Sequence, residues 1–223
     1  PICYASVDNQ SFIVMEYLSL QHQGNHFQFG KNLAKMHNIS QVKFGWKRNN
    51  TIGSTPQNNL LCDNWVDFWR TQRLMPQFEL LYQKGHQNLF KKEAESLLSS
   101  LDDFFQGHQP IASLLHGDLW SGNYAFDDHG NGVIFDPALY YGDRETDLAM
   151  TELFGGFSSD FYKGYQEEIS LADNSIYNAV DNYTRRKPMY NLYHILNHAN
   201  LFGGSYLHQA LSMMEHLNQQ EFL

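Results

Sequence analysis

Three side chains in this sequence have the types and spacing needed to move a phosphoryl group. Asp118 and Asn123 stand five residues apart in Leu115-His116-Gly117-Asp118-Leu119-Trp120-Ser121-Gly122-Asn123, and Asp136 follows the apolar run Val133-Ile134-Phe135. At that spacing a loop carboxylate can orient an acceptor hydroxyl while an amide oxygen holds a divalent ion. A second carboxylate at the end of a neighbouring strand can take the same ion, and Mg²⁺ prefers such oxygen ligands. Asp118 would accept or orient the proton of the acceptor alcohol. Asp and Asn are also common turn formers, so the argument rests on the three together.

These side chains need elements to bring them together. Tyr124-Ala125-Phe126 and Val133-Ile134-Phe135 flank a turn rich in Asp, Asn and Gly, which predicts a β-hairpin returning Asp136 to the neighbourhood of Asn123. A second hairpin is expected from Ile2–Ala5 and Ser11–Leu18 around the turn Val7–Gln10. Its last residues, Met15-Glu16-Tyr17-Leu18, have the pattern of a strand running into a hinge. There the backbone of Glu16, Tyr17 and Leu18 could bind an adenine edge; an ordinary amphipathic strand is the competing reading. Apolar periodicity predicts helices over Asn25–His37, Asp63–Leu74, Gln77–Lys84 and Lys91–Phe105. It predicts four more over Arg144–Phe154, Asp160–Glu168, Pro188–Phe202 and Ser205–Asn218, and Asn49–Asn59 has the chemistry of a polar loop. The expected division is a strand-rich remnant over Pro1–Leu18 and a helical lobe over Ser19–Leu223. The sequence contains no Gly-rich phosphate loop, and Lys43 is the nearest approach to a phosphate-pairing strand lysine. The earlier part of a nucleotide-binding lobe is therefore expected outside this numbering.

Composition narrows the class. The 223 residues, 42% hydrophobic, suffice for one sizeable core and at most two small domains. A formal charge of −9 argues against nucleic acid as a partner. It also means that phosphates need local neutralisation by Mg²⁺ or lysine. The apolar stretches are too short to span a bilayer, so a membrane partner is not expected. Cys3 and Cys62 form neither a metal-spaced pair nor a disulfide framework, and a cytoplasmic location is expected. His194 and His198, four apart, share a helix face. Without a neighbouring Glu or third ligand they do not make a zinc site.

The motifs resemble those of the fructosamine kinase (ketosamine-3-kinase) family of the protein-kinase-like superfamily. The resemblance is carried by His116-Gly117-Asp118-Leu119-Trp120-Ser121-Gly122-Asn123, by Asp136-Pro137-Ala138 and by Tyr141-Gly142-Asp143-Arg144-Glu145-Thr146-Asp147. Phe154-Gly155-Gly156-Phe157, Asn50–Asn58, Trp65-Val66-Asp67-Phe68 and Arg73-Leu74 extend it. Trp120-Ser121 separates the chain from aminoglycoside and choline kinases, which more often have His-Pro there. The resemblance implies an α+β, protein-kinase-like fold: a mostly helical C-lobe preceded by the last strands and hinge of a truncated N-lobe. It implies ATP and Mg²⁺, with Asp118 as the base toward the 3-hydroxyl of a ketoamine, either small or a glycated lysine, in a deglycation role. Asn123 and Asp136 would hold the metal, and the Glu16–Leu18 backbone would hold adenine. His116 would brace the loop. Asp147 or Glu145 would either bond the loop backbone or cap a helix in solvent. Trp120, His194 and His198 would line the sugar side of the cleft or serve as packing residues. Two other readings stay open: a kinase of the aminoglycoside or choline type, and a catalytically silent nucleotide-binding regulator. Oligomeric state is undetermined.

Overall fold

A computed structural model describes residues 2–8, 10–172 and 180–220. The first pair, β1 (Cys3–Val7) and β2 (Gln10–Val14), is an antiparallel hairpin with Cys3 opposite Val14 and Val7 opposite Gln10. The described residues of both strands are exposed. β2 ends at Val14 rather than at Leu18; its last ladder bond is the one from the Ile2 N–H to the Val14 carbonyl, at 2.7 Å. Met15–Leu20 continues without regular structure. It is then pinned by Gln21, which exchanges both backbone hydrogen bonds with Phe126 at 2.7 and 2.9 Å.

α1 (His26–His37) starts where the Asn25 side chain accepts from the Gln28 N–H at 2.9 Å. Such a cap satisfies one of the orphan donors of the first turn. Its apolar stripe, Phe29, Leu33 and Ala34, packs on α6 (Ser159–Ala172) through Phe161, Tyr165 and Ile169. The two helices cross at backbone distance. A Cβ added to Gly30 would fall 1.9 Å from the carbonyl oxygen of Phe161, and one added to Gly164 would fall 2.0 Å from that of Phe27.

The main core is built from two helical layers. One is a continuous run of α2 (Trp65–Phe68), a π-helical segment (Trp69–Leu74) and α3 (Met75–Gln83), followed by α4 (Gln87–Ser99) and a 3₁₀ turn over Leu101–Phe105. The other is α5 (Glu145–Leu153), α7 (Val180–Phe202) and α8 (Ser205–Asn218). Trp65, Trp69, Phe78, Phe90, Tyr190 and Leu196 are among the side chains buried between the layers. The two helices expected over Asp63–Leu74 and Gln77–Lys84 are one run because the wider π turn accommodates Pro76. Proline brings no N–H to the ladder, and the carbonyl of Gln72 accepts instead from Arg73 Nη1 at 3.0 Å. The helix expected over Lys91–Phe105 begins earlier, at Gln87, and breaks at Ser100, whose ψ is near 8°. α7 begins eight residues before Pro188; burial of Met189, Tyr190, Leu192 and Tyr193 outweighs the one hydrogen bond that proline removes. Among the described residues, no helix is long and apolar enough to cross a membrane.

Three short antiparallel sheets face these helices. β3 (Ser40–Gln41), β6 (Ala112–Leu115) and β9 (Tyr140–Gly142) pair in the order β3-β6-β9. The stretch read as a polar loop folds as a hairpin of β4 (Asn50–Ile52) and β5 (Thr55–Gln57). The third pair is β7 (Tyr124–Phe126) with β8 (Gly132–Ile134), one residue earlier on its second strand than expected, with Tyr124 opposite Ile134. Its turn is held by the Asp127 carboxylate, which accepts from the N–H groups of His129 and Asn131 at 2.9 and 2.8 Å.

Candidate active site

β6 delivers the chain to the loop His116–Asn123, and a buried carboxylate fixes that loop from behind. Asp147, on the first turn of α5, accepts from the backbone N–H of His116 at 2.7 Å and of Gly117 at 2.9 Å. The same carboxylate meets His37 Nε2 at 3.1 Å, and His37 Nδ1 meets the Tyr165 hydroxyl at 2.7 Å. The loop is thus tied to the α1–α6 pair. Burial alone would raise the Asp147 carboxyl, but the hydrogen bond and charge of His37 outweigh it and hold the carboxyl below its usual range. Glu145 is not part of this anchor. It forms a bidentate pair with Arg186 at 2.7 and 2.8 Å.

His116 can be assigned one tautomer. Its Nε2 lies 2.9 Å from the Phe135 carbonyl, which can only accept, and its Nδ1 receives the Asp118 N–H at 3.2 Å. The ring is therefore neutral, in agreement with burial depressing its pKa against the pull of Asp147. It joins the loop to the end of β8. Gly117 has φ +82°, and a Cβ there would meet the Ala138 carbonyl oxygen at 2.2 Å. Only glycine lets the loop approach the segment after Asp136 so closely.

The hairpin closes the other side. The Phe135 N–H donates to the Asn123 carbonyl at 3.1 Å, which brings Asp136, the next residue, back to the loop. Asn123 is buried and donates from Nδ2 to the Asp118 carbonyl at 2.8 Å and to Asp118 Oδ2 at 3.2 Å. Burial, and then the charge of Asp136, push the Asp118 carboxyl up to about 6, against the opposing hydrogen bond from Asn123. Asn123 commits its Nδ2 to Asp118, which leaves its amide oxygen to offer, and Asp136 is exposed. Amide and carboxylate oxygens are hard donors, of the kind that Mg²⁺ prefers over softer metals.

A brace for this region escaped the sequence reading. Gln57 donates to the Ala138 carbonyl at 3.0 Å, and Asn50 donates to the Leu139 carbonyl at 2.8 Å. The Tyr193 hydroxyl in turn donates to Gln57 Oε1 at 2.8 Å. The β4–β5 hairpin therefore holds the backbone just beyond Asp136. The signal was available in the Thr-Ile-Gly-Ser-Thr turn between short β-formers, masked by the polarity of its flanks.

The other candidate residues occupy different settings. His194 is buried, its Nδ1 lies 3.9 Å from Asp118 Oδ1, and that nitrogen has no hydrogen-bond partner. Burial, then the neighbouring His198, drives its pKa down to about 3. His198 donates from Nδ1 to the His194 carbonyl at 2.8 Å. Its ring packs in tilted contact with Phe154, Phe202 and Tyr206, at centroid distances of 5.1, 5.5 and 5.0 Å. Trp120, 37% exposed, stands edge-on to Phe154 at 6.3 Å. Phe154 therefore links the two aromatic candidates. Glu16, Tyr17 and Leu18 are exposed in the strand-to-α1 connection. Lys43 pairs with Asp63 on the surface at 3.1 Å.

A cavity of about 500 Å³ behind α5 is lined by His108, Asp143, Glu145, Glu152, Tyr162 and Tyr183 among others. It contains none of Asp118, Asn123 and Asp136. His108, Asp143 and Glu145 offer ligand atoms within 4.8 Å of one another. However, Asp143 is bonded by His108 at 2.6 Å and Tyr190 at 2.5 Å, and Glu145 by Arg186. With those oxygens already hydrogen-bonded, the group is a structural network and a poor cation site.

The α+β architecture, with its helical lobe, loop acid and returning hairpin, places the protein in the protein-kinase-like superfamily. The profile of the fructosamine kinase family matches residues 1–220, and the chain belongs to that family. It is 45% identical over 219 residues to a probable ketoamine kinase of Synechocystis sp., spanning 96% of this chain and 70% of that protein. It is 36% identical over 208 residues to the chloroplastic protein-ribulosamine 3-kinase of Oryza sativa subsp. japonica, spanning 92% and 58% respectively. The crystal structure of a proposed fructosamine-3-kinase from Thermobifida fusca superposes with a TM-score of 0.79 at 26% identity, covering 97% of this chain and 73% of that one.

Proposed function

We propose that the protein phosphorylates a sugar hydroxyl of a ketoamine, at O3, using ATP, and so acts in deglycation. The observation that carries this reading is the loop acid Asp118, half-enclosed and tied to Asn123, within a fold of the fructosamine kinase family. Asp118 orients the acceptor hydroxyl and receives its proton as the oxygen attacks the γ-phosphoryl group. Asn123 and Asp136 would hold Mg²⁺, which when bound neutralises phosphate charge. The exposed backbone of Glu16–Leu18 would meet the adenine edge. Trp120 and His198, joined through Phe154, would flank the sugar. His116 and Asp147 keep the loop in place, so that its groups need no reorganisation during the reaction.

The test is ATP consumption with a panel of a fructosamine, a ribulosamine, an aminoglycoside and choline. Turnover restricted to the ketoamines, with phosphate on O3 by NMR, is expected. Turnover of choline or the aminoglycoside alone would overturn the substrate class, and nucleotide binding without any turnover would overturn the activity.

A further inference from the structure

His194 presents an anomaly that packing does not account for. Its side chain is 5% exposed, yet Nδ1 makes no hydrogen bond. A buried polar atom left without a partner is costly, and native interiors rarely keep one unless a water, an ion or a ligand supplies the partner. The nitrogen is aimed at the carboxylate of Asp118, whose Oδ1 is 3.9 Å away. That distance is too long for a direct hydrogen bond. It does suit two groups that each bind one of two neighbouring oxygens.

We infer that His194 and Asp118 together grip a vicinal diol of the acceptor, Asp118 on the hydroxyl that is phosphorylated and His194 Nδ1 on the hydroxyl beside it. The inference rests on the proposed ketoamine activity and adds a specificity-determining residue to it. The oxygens of a gauche diol stand about one hydrogen-bond length apart, so two ordinary hydrogen bonds leading to them open outward to a gap of this size. A hydroxyl both donates and accepts, and so satisfies Nδ1 in either neutral tautomer. The site also selects against acceptors with a single hydroxyl, because such a molecule leaves Nδ1 unpaired. Discrimination by an unpaired buried group is stronger than discrimination by apolar fit.

The experiment is steady-state kinetics of the protein with a fructosamine and with two analogues, each carrying hydrogen in place of one hydroxyl flanking the phosphorylated one. The unaltered protein should lose about 10-fold or more in kcat/KM on one of the two analogues. His194→Leu should show a comparable loss on the parent substrate and no further loss beyond about 2-fold on that analogue. His194→Asn, whose amide lies near the Nδ1 position, should regain part of the discrimination, with KM for ATP unchanged throughout. Equal treatment of the three substrates by the unaltered protein overturns the inference without recourse to any variant. Undiminished discrimination by His194→Leu overturns it too. Failure of the unaltered protein to phosphorylate the parent ketoamine removes the underlying activity, and the inference with it.

Discussion

Asp118→Asn should make the protein more stable at neutral pH while disabling it. The Asp118 carboxyl is raised from 3.8 to about 6, first by burial and then by Asp136. A carboxyl whose pKa is higher in the folded state binds protons more tightly there. Its relative contribution is therefore favourable below about pH 4 and is lost as pH rises through 6. About two pH units, at roughly 1.4 kcal/mol each, make ionised Asp118 a burden of about 2–3 kcal/mol on the fold above pH 7. Asn removes that burden, and its side chain can still accept from Asn123. Urea denaturation in metal-free buffer at pH 5, 6 and 8 would measure the difference. The variant should gain about 2 kcal/mol at pH 8 and progressively less toward pH 4, while turnover falls by about 10²–10⁴-fold. A variant less stable than the parent at pH 8, or one whose advantage grows in acid, would refute the reasoning about burial and charge at this loop.

Asp147→Asn should destabilise the fold by about 3–5 kcal/mol, since an amide cannot accept from both loop N–H groups and pair with His37. Chemical denaturation at pH 7 reads this loss. The penalty should shrink in strong acid, because the lowered Asp147 pKa means its contribution is present above about pH 4 and is lost as pH falls through the folded value. Gly30→Ala should lower Tm by roughly 5–10 °C by forcing α1 away from the Phe161 carbonyl; an unchanged melting temperature would contradict the close helix crossing. Asp136→Ala should abolish the Mg²⁺-dependent part of nucleotide affinity in calorimetry run with and without the metal, and equal affinities in both would reassign the metal ligands.

Local patterns are legible where one rule dominates. Asn25 and Asn38 bracket α1 because capping and apolar period agree there. The Asp-Asn-Gly turn between β7 and β8 is likewise unambiguous, as is the spacing of Asp118 and Asn123. Features that escape the sequence depend on contacts between distant residues. The break expected near Pro76 is bridged by a π turn and by an arginine buried between Phe68 and Tyr140. The polar stretch around Gln57 is structured because its amides answer carbonyls more than 80 residues away. The anchoring of Asp147 by His37 and Tyr165 joins three separate helices, and no local pattern announces such a meeting. Glu145, equally plausible from its position, is drawn elsewhere by Arg186.

Asp136 adopts φ +59°, a conformation that costs an L-residue other than glycine of order 1 kcal/mol or more. Glycine would relax that backbone at once, so stability alone would favour losing the carboxylate. Any redesign guided only by melting temperature is drawn toward this substitution. The position should therefore be frozen before the protein is optimised for heat or solvent tolerance, because the improved scaffold would have discarded the oxygen proposed to hold Mg²⁺.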